Sequence, residues 1–277
     1  MSFQNSKNGL NFSQDGAKVT ISYALSARAM TIDFWANPTS LSNYCMGMGE
    51  SEETFLIKVN EVGAMYVSIN GVTVQSANGY VQPGIWNHYA IRRNSSGKIT
   101  FYRNNEKISE ASGGATTSVT GMTKFMLGVD GIPMKASIDE FRIWNKDYMY
   151  LKNVCNVYPS DEEVAALVSG HKLMVYYDFN QNGGEVNDRT GNGYHGVRTG
   201  FGPDGDAWGL SKGVFSLYLG AKVANETITS VDEALQDGGQ TAHIKGVYSV
   251  SGQYVGKTIV GLPAGVYIVD GKKVVVK

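Results

Sequence analysis

The sequence predicts an all-β protein, an antiparallel two-sheet sandwich or jelly roll, with a second, small β unit at its C-terminus. Three observations carry that expectation. Nearly every segment up to about residue 145 reads as a short strand bounded by Gly, Asn, Ser or Pro. Strands recur at roughly 8–12-residue spacing with no long helical period. Gly contributes 34 of the 277 residues and Pro only 6, the composition of a chain with many tight turns. Hydrophobic residues make up 42% and aromatics 11%, with Lys+Arg 24 against Asp+Glu 25. That excludes a disordered chain, which is poorer in aromatics and more lopsided in charge. Near-neutrality also argues against a nucleic-acid partner, which needs a basic face. No apolar run approaches the roughly 18 residues of a transmembrane segment.

The first residues, Met1 to Lys7, lack the apolar core of a signal peptide, so the protein is cytosolic or the chain begins after a removed leader. Ala17 to Ser22, Thr31 to Ala36, Ala64 to Ile69 and Lys98 to Arg103 are rich in β-branched and aromatic residues and read as strands. Asn70-Gly71 and Asn104-Asn105 sit where a two-residue hairpin needs tolerance of positive φ. Ser160-Asp-Glu-Glu163 matches a capping box. Val164 to Val168 then continues as one short helix, and Gly170 is placed to close it in a left-handed conformation. Lys172 to Phe179 returns to strand. Composition shifts after about residue 220. Residues 221–245 read as a linker or irregular start, and 246–277 as a small β domain with an Asp270-Gly271 hairpin turn. Residues 221–277 hold 6 Lys+Arg and 5 Asp+Glu, leaving 18 and 20 for residues 1–220, so neutrality belongs to both parts. Cys45 and Cys155 are far apart without metal-type spacing and read as buried or idle thiols, a disulfide being possible but not indicated.

Five motifs occur in order in the first 145 residues: Gly9-Leu-Asn-Phe12, Met30-Thr-Ile-Asp-Phe-Trp-Ala36, Trp86-Asn-His-Tyr-Ala90, Ile99 to Asn105 and Ser137-Ile-Asp-Glu-Phe-Arg-Ile-Trp-Asn145. Together they resemble the laminin-G-like branch of the concanavalin A-like lectin/glucanase superfamily. Leu173 to Phe179 and Asn187 to Gly196 look like a further element of such bacterial modules. The resemblance implies a two-sheet jelly roll over residues 1–220. It also implies a structural calcium held by an Asp at the position of Asp139 together with backbone carbonyls; the alternative is that Asp139 caps a strand end. Val247 to Gln253, Gly261 to Val269 and Gly271 to Lys277 resemble the C-terminal sorting domains of type IX secretion substrates. That second resemblance implies export, with the protein secreted or at the cell surface.

The residues offer no catalytic constellation. Glucanases of the superfamily carry Glu-x-Asp-x-Glu on one strand, which places two carboxylates on one face, and that spacing is absent. Asp139 and Glu140 are adjacent, so alternation would send them to opposite faces. Glu50-Ser-Glu-Glu53 falls in an expected loop. The four His residues, His88, His171, His195 and His243, lie apart, and His88 reads as a structural hydrogen-bonding residue. Asp178-x-Asn180-x-Asn182-Gly183 copies half an EF-hand loop, but Arg189 stands where the bidentate Glu belongs, so it reads as a polar turn. Trp35, Trp86 and Trp144 read as core. Trp208, Tyr44 and Tyr80, near turn residues, are the candidate ligand contacts, because a ring face stacks on the apolar side of a sugar. The leading expectation is a non-catalytic module binding glycan at a bacterial cell surface. A structural or adhesive module contacting a cell-surface protein is the alternative, followed by a polysaccharide hydrolase with an unfamiliar site.

Overall fold

The computed structural model describes residues 8–41, 43–154, 158–180, 184–202, 208–210, 247–249, 254–256, 265–269 and 272–276. The chain divides into two compact units, Met1–Tyr218 and Leu219–Lys277.

Two antiparallel sheets build the first unit. The larger contains β1 (Asn8–Asn11), β3 (Met30–Pro38), β8 (Asn87–Arg93), β9 (Ile99–Arg103), β10 (Glu106–Ala111), β12 (Ala136–Trp144), β13 (Leu173–Tyr177) and β15 (Trp208–Leu210). Its order is β10-β9-β8-β3-β12-β1-β15, with β13 also on β12. One edge of β12 serves two partners: Ile138 pairs with Leu10 of β1, while Phe141 to Trp144 pair with β13. The second sheet contains β2 (Lys18–Ile21), β4 (Cys45–Ser51), β5 (Phe55–Val59), β6 (Met65–Ile69), β7 (Val72–Gln75), β11 (Phe125–Leu127) and β14 (Gly196–Thr199), in the order β14-β2-β11-β4-β5-β6-β7.

Period-two alternation drives the packing. Ile32 and Phe34, Tyr89 and Ile91, and Ile138, Phe141 and Ile143 turn inward from the larger sheet. They meet Val19, Ile21, Ile57, Val59, Val67, Ile69, Phe125 and Leu127 from the second. This is a sandwich with its core between aligned apolar faces. Both expected hairpins form: Asn70 and Gly71 take φ 50 and 79, and Asn104 and Asn105 take φ 50 and 66.

A second, smaller core lies on the other side of the larger sheet. After β12 the chain folds back, with the Tyr148 amide donating to Thr31 Oγ1 at 2.8 Å and that hydroxyl donating to the Lys146 carbonyl at 3.0 Å. Tyr148, Leu151, Val154 and Val164 of helix α1 (Asp161–His171) then cover Ala90, Trp144, Leu173 and Tyr176. The capping box is present: Ser160 Oγ accepts the Glu163 amide and Glu163 Oε2 accepts the Ser160 amide at 2.7 Å. The expected stop at Gly170 is corrected. The helix runs on to His171, and Lys172 takes the left-handed cap at φ 58, its amide donating to the Leu167 carbonyl. The left-handed stop therefore falls two residues later, at a residue with a Cβ.

The second unit contains β16 (Val247–Ser249), β17 (Tyr254–Gly256), β18 (Gly265–Val269) and β19 (Lys272–Val276), antiparallel in the order β17-β16-β18-β19. Val269 pairs with Lys272, the register of a two-residue loop; Asp270 and Gly271 themselves, and residues 221–245, lie outside the described residues. So does Cys155. Cys45 is a buried free thiol, and burial pushes its pKa up to about 11, so it behaves as a small apolar side chain.

Candidate functional site

The two sheets turn very different outer faces outward. On the larger sheet, alternation sends Asp33 of β3, His88 of β8 and Arg142 and Trp144 of β12 away from the inter-sheet core, into a buried polar network. Asp33 Oδ1 accepts from His88 Nε2 and from Arg142 Nη1, each at 3.0 Å, and its Oδ2 accepts from Trp144 Nε1 at 2.6 Å. Burial opposes ionisation of Asp33, but Arg142 and His88 beside it hold its carboxyl below the usual range. Burial lowers the pKa of His88 against the pull of Asp33, so the ring is neutral and structural, as its sequence context suggests.

Glu140 enters the same network through a backbone irregularity. Register shifts between Asp139 and Arg142, and Glu140 sits at φ 52, so β12 carries a bulge. Ile138 and Phe141 both face the core, three residues apart, and simple alternation of Asp139 and Glu140 is lost. Glu140 Oε2 accepts from Arg142 Nη2 and from the Tyr176 hydroxyl, the latter at 2.6 Å. Burial raises its pKa to about 7, with Arg142 and Tyr176 acting the other way. Arg142 also lies over the Tyr176 ring at 4.5 Å. Further out, Arg189 stacks on Tyr158 at 4.6 Å and pairs with Asp161 at the start of α1 at 2.7 Å, fastening the helix over the network. Asp33, His88, Glu140 and Arg142 are all buried. The group closest to an acid–base set is thus sealed from solvent.

The outer face of the second sheet is open only in part where β5, β6 and β7 meet: Leu56 and Ser68 are buried there, Lys58 and Tyr66 half-buried, and Thr73 and Gln75 exposed. Cross-strand register places Lys58, Tyr66 and Gln75 in one row and Leu56, Ser68 and Thr73 in the next. Tyr44, in the turn before β4, is 44% exposed. Its ring meets Tyr66 edge-on at 5.9 Å, and Lys58 Nζ stands 4.0 Å from its centroid. Lys58 pairs with Glu52 at 2.5 Å, Asn60 Nδ2 donates to the Tyr66 hydroxyl at 3.3 Å, and the Ser68 and Thr73 hydroxyls bond at 2.7 Å. The result is a fixed aromatic ring beside a neutralised ion pair and a run of hydroxyl and amide groups. Such a surface can stack on an apolar ring face and exchange hydrogen bonds with hydroxyls around it.

Of the expected contact residues, only Tyr44 stands on this surface. The expectation for Tyr80 is corrected: it is completely buried, packed at 5.4 Å against both Tyr89 and Phe101, and its hydroxyl donates to the Tyr102 carbonyl at 2.8 Å. The backbone of Trp208 pairs with Leu10 in β15, while its side chain lies outside the described residues. Trp35 and Trp144 are buried as expected; Trp86 precedes β8 and is only half-buried. Lys58, Tyr66 and Glu52 were not legible as a site, although the alternation Met65-Tyr66-Val67-Ser68-Ile69 does send Tyr66 and Ser68 to one face.

The strand-capping alternative is visible at Asp139. Its carboxylate is buried and its Oδ1 accepts the Glu140 amide at 2.8 Å, which caps the bulge. Among the described residues no three His, Cys, Asp or Glu side chains cluster, so a calcium there would take most of its oxygen ligands from backbone carbonyls, as the resemblance implies. In the EF-hand-like run, Asp178 Oδ2 accepts from the Tyr158 hydroxyl at 2.6 Å and Oδ1 from the Asn180 amide at 3.2 Å, the bonding of a polar turn; Asn182 and Gly183 lie outside the described residues. Among the described residues no helix is long and apolar enough to cross a membrane.

Comparison with known proteins gives the fold an independent footing. Residues 11–148 match the Laminin_G_3 family model, described as the concanavalin A-like lectin/glucanases superfamily. No curated protein matches the chain. Among solved structures, a Bacteroides ovatus ATCC 8483 protein, provisionally described as carbohydrate binding, is similar with TM-score 0.56 at 17% identity, over 70% of this chain and 58% of that one. This chain therefore spans little more than half of that structure's length. A SAP-like pentraxin from Limulus polyphemus aligns with TM-score 0.42 at 13% identity, over 55% of this chain and 80% of that one. The CBM40 module of Ruminococcus gnavus IT-sialidase, solved with α2,3-sialyllactose, aligns with TM-score 0.42 at 15% identity, over 55% and 97%. The family match ends at residue 148 and so does not reach the C-terminal unit.

Proposed function

Residues 11–148 being a domain of the concanavalin A-like lectin/glucanase superfamily, we propose that the chain is a non-catalytic carbohydrate-binding module whose contact surface is the outer face of β5, β6 and β7. The observation that carries this reading is Tyr44, an exposed ring held from below by Lys58 and from the side by Tyr66. A pyranose stacks on the open part of that ring, and Glu52, Lys58 and Gln75 supply acceptors and donors for its hydroxyls. Because Lys58 is already neutralised by Glu52, the surface suits an uncharged sugar. The provisional description of the Bacteroides ovatus protein of the same fold agrees with this reading. The burial of the Asp33, Glu140 and His88 set supports the absence of catalysis. The likeness of residues 246–277 to sorting domains supports export to the cell surface.

The test is a neutral glycan array followed by titration calorimetry with the full chain and with Tyr44→Ala. Saturable binding that falls at least about tenfold in the variant supports the reading. Turnover of a polysaccharide in the same assay would replace it with the hydrolase. A second reading, a structural or adhesive module, is favoured by the filled outer face of the larger sheet, where many sandwiches would leave a groove. Silence on the array combined with specific capture of a surface protein would decide for it.

A further inference from the structure

A second exposed patch lies outside the Tyr44 surface, on the cover of the larger sheet. It joins the segment after β12 to the end of α1, which the Asn145 amide ties to the Lys172 carbonyl at 3.0 Å. Tyr150 is 54% exposed and Met149 69%. Tyr150 stands edge-on to Tyr148 at 5.9 Å and to His171 at 6.1 Å, and Tyr148 is itself stacked on Trp144 at 4.1 Å. The exposed ring is thus anchored through an aromatic stack to the buried core and cannot swing freely.

Around it the charge is one-sided. Lys18, Lys58, Lys98, Lys107 and Lys135 each pair with a carboxylate. Lys124, Lys146, Lys152 and Lys172 are exposed and have no such partner among the described residues; all but Lys124 belong to this patch. Asp147, the acidic side chain within the segment, is taken by Arg92 at 2.8 Å. A basic residue at a helix C-terminus complements the dipole, which accounts for His171 but not for Lys146 or Lys152. It suits the charge of Lys172 at the C-cap but not its backbone, which holds φ 58 where glycine would sit without strain. An unfavourable backbone position occupied by a lysine points to use of the side chain.

We propose that Tyr150, Lys146, Lys152 and Lys172 form a second binding site, for a polysaccharide bearing carboxylate or sulfate groups. The tyrosine stacks on one sugar ring and the three ammonium groups meet the anionic groups of that ring and its neighbours. Charge complementarity selects the polymer. The small apolar area, one ring and one Met, is too little for a lipid surface, whose hold scales with buried apolar area. The proposal does not depend on the Tyr44 reading, whose neutralised lysine selects the opposite class of sugar.

Affinity electrophoresis of the full chain through gels holding dextran sulfate, polygalacturonate or neutral dextran tests it. The two anionic polymers are expected to retard the chain and dextran to leave this patch unengaged, with retardation weakening at least about fivefold as salt rises from about 50 to about 300 mM. The triple variant Lys146→Ser, Lys152→Ser, Lys172→Gly should lose about tenfold in affinity. Tyr150→Ala should lose at least about threefold, and Tyr44→Ala should change nothing in the anionic gels. All these positions are exposed, and folding of each variant is checked by its melting temperature. Unaltered retardation in the triple variant, retardation by neither polymer, or binding to anionic phospholipid vesicles without binding to the polymers would each overturn the proposal.

Discussion

The two outer faces of the sandwich show how one architecture divides its surface between stability and contact. Outward residues of β3, β8, β12 and β13 include Asp33, His88, Arg142 and Tyr176, all charged or polar, and all buried because the chain returns over them. Outward residues of β5, β6 and β7 include the half-buried Lys58 and Tyr66 and the exposed Gln75, and beside them the Tyr44 ring stays 44% exposed. Both faces use the same vocabulary of aromatic ring and ion pair. On the first, Arg142 over Tyr176 joins strands to one another; on the second, Lys58 over Tyr44 fixes the ring without enclosing it. Enclosure, not residue type, separates a structural face from a contact face.

That contrast can be broken most forcefully at Arg142. Arg142→Met leaves Asp33 and Glu140 buried without their shared cation, and a destabilisation of about 3–5 kcal/mol is expected in urea unfolding. A loss under about 1 kcal/mol would mean that the network is not what holds the cover down.

A smaller effect follows from Glu140. Its folded-state pKa of about 7 lies above the ordinary 4.5, so its favourable contribution is complete below about pH 4.5 and disappears as pH rises through about 7. Buried His88 works the other way as pH rises through its ordinary 6.5, so the readout is a difference: the melting temperature of the native chain relative to Glu140→Gln should fall between about pH 5 and pH 8. Parallel profiles for the two proteins would contradict the assignment.

Smaller again, Lys172→Gly relieves the left-handed strain at the end of α1 and should stabilise by up to about 1 kcal/mol in the same unfolding assay. Calcium added after chelation should leave the melting temperature unmoved in scanning calorimetry, since the Asp139 carboxylate is engaged by its own bulge. A rise would restore the cation to that position.

What was legible in the sequence was whatever local pattern decides. Ser160 and Glu163 announced the start of α1, Asn70-Gly71 announced a hairpin, and the inward residues of β3, β6 and β9 followed from alternation. What depended on pairing was not. The β12 bulge breaks the alternation that separated Asp139 from Glu140, and nothing in Ser137-Ile-Asp-Glu-Phe-Arg marks it. Tyr80 lies beside turn residues yet is buried, because two backbone carbonyls from β8 and β9 receive its hydroxyl. The row Lys58-Tyr66-Gln75 exists only through register, so Tyr44 could be singled out while its three supporting residues could not. The return of residues 146–154 over the larger sheet is a tertiary choice, driven by Trp144 and Tyr148 stacking face to face.

The most direct test of the open face is titration of neutral oligosaccharides into the native chain and into Tyr44→Ala, with the melting temperature of each measured alongside. The account expects the variant to lose at least about tenfold in affinity while its stability stays within about 0.5 kcal/mol of the native chain. Undiminished binding by a folded Tyr44→Ala protein would contradict the placement of the sugar on β5, β6 and β7.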